Sequence, residues 1–248
     1  MFETAELGRE TSKEEYKKQE PVLRTGLLTL QYELREADFP LILLIAGSDR
    51  LGCADLMNLL HEWMDARYLE ANVFEAPTDE ERERPRFWRY WRALPASGRV
   101  RIFHREWTTR AIVDRLKGNL DDAGLDERLE GFATEDDWQR AYSEINDFEE
   151  MLVHHGILLL KFWMHISPEE QLRRFKAREK VPFKKYKITA EDYRNRDRWN
   201  AYELAADEMV QRTSTDYARW HLVAGNDKRW ARIQVLKTVC RELEAALD

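Results

Sequence analysis

The chain has 248 residues, 43% hydrophobic and 11% aromatic, a composition that supports a real core and excludes a disordered chain. Its net charge of -7 opposes broad electrostatic binding to nucleic acid or an anionic membrane, and its longest apolar run is far too short to span a bilayer. Two cysteines, Cys53 and Cys240, suit a reducing compartment, and the polar opening MFETAELGRETSKEE predicts no secretory signal, so the expectation is a cytoplasmic protein.

In chain order, Thr11-Ser12-Lys13-Glu14-Glu15 predicts a capping box opening a helix, which Pro21 interrupts or restarts ahead of Leu27, Leu28, Leu30 and Leu34. Leu41–Ala46 is the first buried strand. Leu56, Leu59, Leu60, Trp63 and Met64 then mark one face of a helix. A short strand is expected at 72–76, a charged helix with an aromatic seam over PTDEERERPRFWRYW, and a third strand at 99–103. From Thr109 to His154 the pattern is helical, broken at LKGNLDDAGLDERLEG, and Ile157–Ile166 is a fourth strand. Ser167-Pro168-Glu169-Glu170 starts a helix with a cap and a Pro at its first position, and Thr189-Ala190-Glu191-Asp192 signals another. A fifth strand at 221–224 and a helix from Lys228 close the chain. Alternating strands and helices imply a parallel sheet covered on both faces. No linker or repeat is visible, so one domain over 1–248 is expected, with a helical extension over 1–37.

Two stretches carry chemistry. In GSDRLGC the glycines Gly47 and Gly52 stand five residues apart between a strand and a helix, the layout of a phosphate-binding loop, G-x-x-x-x-G-K-[ST]. Cys53 takes the lysine position and Ala54 the hydroxyl position. Between Gln171 and Arg198 there are 11 basic and 4 acidic residues, a local +7 within a chain of -7. Such a run is ordinarily a solvated helix face, but after a fourth strand it predicts a lid, about 167–200, that closes on an anion.

Three segments resemble the polyphosphate kinase 2 family, enzymes that move phosphoryl groups between inorganic polyphosphate and nucleotides. GSDRLGC is similar to the family's G-x-D-x-x-G-K. PTDEERERPRFWRYWRALPASGRVRIFHREWTTR is similar to its P-T-x-x-E-R…R-Y…L-P-x-x-G…F-D-R-S-W-Y-x-R. EINDFEEMLVHHGILLLKFWMHISPEEQLRRFKAREKVPFKKYKIT follows its helix, strand and lid, and the likeness covers about 15–245. The opening and the length resemble one half of the fused two-domain polyphosphate:AMP phosphotransferases, in which one half can carry a degraded site. The resemblance implies an α/β fold: a P-loop three-layer α/β/α domain with a parallel sheet and a helical basic lid. It also implies Mg²⁺, polyphosphate and AMP or ADP as partners, and a homo-oligomer or an associated catalytic domain.

The resemblance implicates Asp49 in metal or acceptor handling and Arg105 in catalysis, with Gly47, Gly52, Arg110, Arg178, Lys180, Lys184, Lys185 and Lys187 in phosphate binding. Two charges depart from the family pattern. Cys53 replaces the loop lysine, and His104 replaces the strand aspartate, where imidazole is a poor ligand for a hard cation. Losing one preorganised electrostatic group costs about 10²–10³ in rate, so catalysis is expected to be weak or absent. Three alternatives stay open at this point. An active transferase would use lid cations such as Lys184 in place of the lysine. Cys53, His104 and Asp49 would form a thiol nucleophile or a transition-metal site. The third is an interaction module.

Overall fold

The computed structural model describes residues 2, 8–109, 111–112, 135–188, 193 and 196–248. Five parallel strands form one sheet in the order β2-β3-β1-β4-β5: β1 Leu41–Gly47, β2 Leu69–Val73, β3 Val100–His104, β4 Leu158–His165 and β5 Trp220–Ala224. The helices are α1 Lys13–Leu34, α2 Arg50–Trp63, α3 Asp79–Arg82, α4 Trp88–Trp91, α5 Glu135–His154, α6 Pro168–Glu179, α7 Trp199–Arg212 and α8 Lys228–Leu247.

The central strand is apolar throughout, and its alternation divides the core. Leu41, Leu43 and Ile45 pack with Leu27 and Leu34 of α1, Leu56 and Leu60 of α2, and Val235 and Val239 of α8. Ile42, Leu44 and Ala46 face the other way, toward Tyr90 of α4, Phe148 of α5 and Met209 of α7. A strand buried on both faces needs helices on both, which is the three-layer architecture the alternating pattern predicted. Among the described residues no helix is long and apolar enough to cross a membrane.

The alternation has one charged exception. Lys161 of β4 is fully buried on the α5 side, its Nζ donating to Glu149 Oε2 at 2.5 Å and to the Thr213 carbonyl at 2.6 Å. Trp107 Nε1 donates to the other Glu149 oxygen at 2.9 Å. Burial pushes the Glu149 carboxyl up and the Lys161 ammonium down, while each charge opposes that shift in the other.

Four expectations are corrected. Pro21 does not divide the first helix: α1 runs through it, with the proline exposed. The buried stripe Leu27, Leu30, Gln31 and Leu34 outweighs an interior-proline cost of about 3 kcal/mol. Ser12 caps α1 by accepting the Glu15 N–H at 3.0 Å, but Glu15 accepts from Gln19 instead of reaching back. The reciprocal box is Thr78–Glu81, at α3. The second strand lies at Leu69–Val73 instead of 72–76, because Leu69 pairs with Val100 and Phe74 packs edge-on against Tyr90 and Phe103. The charged helix divides into α3 and α4 around Pro85. The Thr189–Asp192 start signal and the 113–134 break fall outside the described residues.

Candidate active site

The site lies where β1 meets α2, at the carboxyl end of the sheet. Gly47 has φ 143°, and a Cβ there would collide with the Met164 backbone of the neighbouring strand, so only glycine fits. Ser48 is buried; its Oγ accepts the Ile166 N–H at 3.1 Å and lies 3.5 Å from His165 Nδ1. Asp49 N–H donates to Met164 O at 3.2 Å. The helix then starts at Arg50, ahead of Cys53, with Asp49 as its N-cap: Oδ1 accepts the Gly52 N–H at 2.8 Å. A Cβ on Gly52 would strike that carboxylate. A phosphate-binding loop leaves such N–H groups for the ligand. Here the positive end of α2 is already met by the chain's own carboxylate, and the expected open cradle is wound into the first turn of the helix.

Asp49 is held from the α6 side as well. Its Oδ2 pairs with Nη1 of Arg174 on α6, and the two residues are 2% and 4% exposed. Arg174 Nη2 donates to the carbonyls of Gly225 at 2.6 Å and Asn226 at 2.9 Å, and Nε to Glu170 at 2.6 Å. One guanidinium thus joins the β1–α2 turn, α6 and the β5–α8 loop. One turn further along α6, Arg178 bonds both oxygens of Asp55 at 2.9 and 3.0 Å, and Lys228 adds a third contact at 2.8 Å. Burial alone would push the Asp55 carboxyl up; Lys228 and Arg178 together bring it below the usual range. Arg178 is therefore committed to α2, on a carboxylate it shares with Lys228 of α8.

The lysines behave differently. Lys180, Lys184 and Lys185 are exposed. The Lys184 ammonium lies 5.6 Å from the Phe183 ring centre and that of Lys185 5.1 Å from Tyr186, rings that are themselves 75% and 78% exposed. Lys187 ends a short 3-10 turn, Lys185–Lys187, and its side chain is outside the described residues, as is Arg110.

At the end of β3, His104 Nδ1–H donates to the Ile45 carbonyl at 2.6 Å, and burial lowers its pKa, which keeps the ring neutral. Arg105 takes a left-handed φ of 57°, unusual for a side chain with a Cβ, and pairs with Glu75 at 3.0 Å. Glu106 is fully buried; Thr108 donates to its carboxyl through N–H and Oγ1–H, both at 2.7 Å. Burial, helped by the Glu149 charge, pushes Glu106 up to about 7 against the Thr108 bonds.

Cys53 is 0% exposed, and burial followed by the neighbouring Asp49 charge pushes its thiol well above the usual range. That opposes the thiolate which the helix terminus alone would favour. Among the described residues no three His, Cys, Asp or Glu side chains are grouped to hold a metal. Both Asp49 oxygens are engaged and His104 presents nitrogen, so the residues here do not fit a hard divalent cation.

Sequence reasoning missed Arg174, counted only as one charge in a basic run, and Tyr202, whose hydroxyl lies 3.5 Å from the Gly47 carbonyl. The spacing of Glu170, Arg174 and Arg178, four apart on one helix face, was the available signal.

The model of the polyphosphate kinase 2 family matches residues 10–248. The chain belongs to that family. It is 42% identical over 246 residues to the polyphosphate:AMP phosphotransferase of Pseudomonas aeruginosa, a match covering 99% of this chain and 47% of that one. It is 31% identical to the GDP-polyphosphate phosphotransferase of Mycobacterium tuberculosis, over 90% of this chain and 72% of that one. The crystal structure of Polyphosphate Kinase 2 from Arthrobacter aurescens superposes with a TM-score of 0.85 at 29% identity, over 96% of this chain and 82% of that one. This polyphosphate kinase 2 chain spans about half the length of the first relative it matches.

Proposed function

We propose that this chain is a polyphosphate kinase 2 domain whose phosphoryl-transfer centre is closed. In this reading it retains polyphosphate binding on the lid lysines and acts as a structural or regulatory partner of a catalytic domain, fused or in an oligomer. The observation that carries the reading is Asp49: one oxygen caps α2 and the other is neutralised by Arg174. Phosphoryl transfer depends on positioning and charge neutralisation. A cation at the loop, a free carboxylate for metal and an open row of backbone N–H groups would supply these. Cys53, the engaged Asp49 and the wound turn supply none of them. The exposed Lys180, Lys184 and Lys185 offer charge to a flexible polyanion without a formed pocket.

A second reading, an active polyphosphate:AMP phosphotransferase, is favoured by the 42% and 40% identity, over nearly the whole chain, to proteins of that name in Pseudomonas aeruginosa and Pseudomonas syringae. It requires Arg174 to release Asp49. The deciding measurement is nucleotide formation from polyphosphate with AMP or ADP and Mg²⁺, for the native chain beside a Cys53→Lys, His104→Asp double variant. The closed-centre reading expects polyphosphate binding without turnover in the native chain. Turnover of the native chain at a kinase-like ~1–100 s⁻¹ overturns it.

A further inference from the structure

The turn that follows α6 carries a run of exposed residues, Pro182-Phe183-Lys184-Lys185-Tyr186. Phe183 and Tyr186 are 75% and 78% exposed, more than any other large apolar side chain among the described residues. The turn closes on itself: the Val181 carbonyl accepts the Lys184 and Lys185 N–H groups at 2.9 and 3.1 Å, and the Lys185 carbonyl accepts the Ile188 N–H at 3.1 Å. Its base is fixed, because Val181 N–H donates to Arg178 O at 3.0 Å and Arg178 is bound to Asp55. The two rings thus stand at the tip of an anchored turn, each with a lysine ammonium beside it, at 5.6 and 5.1 Å. Charge at the tip is one-sided. From Lys176 to Lys187 the sequence holds five lysines and Arg178 against Glu179 alone.

Exposed lysines alone are satisfied by water or by any polyanion. Exposed rings are not, and an inorganic polyanion has no apolar surface with which to cover them. We infer that this tip docks on an anionic phospholipid surface, with the two rings entering the headgroup–acyl boundary and the lysines facing the charged headgroups. That boundary accepts both chemistries at one depth: rings settle there, and lysine stems lie along them with the ammonium reaching the phosphates. The internal hydrogen bonds of Lys184, Lys185 and Ile188 let the turn enter it without leaving those donors unmet. The chain's net charge of -7 does not decide this encounter. At physiological salt, charges more than about 8 Å from the surface are screened, so the tip's own charge is what faces the lipid. The inference is independent of whether the transfer centre is closed and of whether the same lysines hold polyphosphate.

The test is co-sedimentation of the whole chain, at physiological salt, with vesicles of phosphatidylserine and phosphatidylcholine in equal parts, and with vesicles of phosphatidylcholine alone. The native chain is expected to sediment with the anionic vesicles only. Each lysine near such a surface contributes about fivefold to binding, so a Lys184→Ala, Lys185→Ala variant is expected to bind about 25-fold more weakly. A Phe183→Ser, Tyr186→Ser variant removes apolar surface and no charge. It is expected to bind the vesicles about tenfold more weakly while its polyphosphate affinity, read by calorimetry, is unchanged. All four positions are exposed, so both variants fold as the native chain does. Vesicle binding that survives loss of the rings is adsorption by charge alone and overturns the inference, as does equal sedimentation with both kinds of vesicle. A native chain that sediments with neither leaves the rings to a protein surface, and the inference fails. Polyphosphate binding and turnover bear only on the closed-centre reading, so the two can fail separately.

Discussion

The two halves of the basic run that begins on α6 have opposite fates. On α6, Arg174 and Arg178 turn inward and are spent on Asp49 and Asp55. A few residues later Lys180, Lys184 and Lys185 stay in solvent beside exposed rings. The same formal charge is tied into the fold in one half and left in solvent in the other. Acceptors account for the difference: the Arg174 guanidinium satisfies acceptors on three elements from one buried position, and a buried ammonium needs dedicated partners such as those of Lys161, Glu149 and the Thr213 carbonyl.

Substituting the two halves separately tests this division. Arg174→Ala leaves Asp49 buried without its counter-charge, and a loss of about 3–5 kcal/mol in denaturant-derived stability is expected. A loss as small as a surface substitution would put Arg174 among the solvent-facing charges. Glu106 sharpens the same point, because it is buried without a bonded cation. Its carboxyl rises from 4.5 to about 7, so the native state holds a proton that the unfolded chain releases. Stability then falls as pH rises from 4.5 to 7, by about 3 kcal/mol, and levels off above that. Glu106→Gln is expected to flatten that slope, read from urea midpoints across the range. The smallest effect on stability belongs to the outward half. A combined Lys180→Ala, Lys184→Ala, Lys185→Ala variant should unfold within about 0.5 kcal/mol of the native chain. Its polyphosphate affinity should drop, with a shallower salt dependence in titrations at two ionic strengths.

Much of the fold was legible because burial writes itself into sequence. The run Leu41–Ala46 reads as a strand covered on both sides, and the alternate faces of β1 meet different helices, as the pattern required. The second strand was less legible: only Leu69 of it is buried, so pairing with β3 sets its place. The loop glycines were found by spacing, yet what they do was hidden. Gly52 makes room for Asp49, and the partner of Asp49 lies 125 residues away. Spacing can propose a phosphate loop; it cannot show that a distant arginine has taken up the loop's own carboxylate. Lys161 shows the same limit, a charge within an apolar strand whose partners lie on α5 and at the carboxyl end of α7.

The three-way grip of Arg174 also bears on how this end of the molecule opens. Lifting α6 would strip the counter-charge from the cap of α2 and the donor from the Gly225 and Asn226 carbonyls at once. Displacement of α6 and fraying of the first turn of α2 are therefore expected as a single cooperative excursion. Amide protons of Gly52 and Cys53 would exchange with solvent deuterium at the same opening free energy as those of α6, and Arg174→Ala would accelerate both sets together while leaving β1 protected.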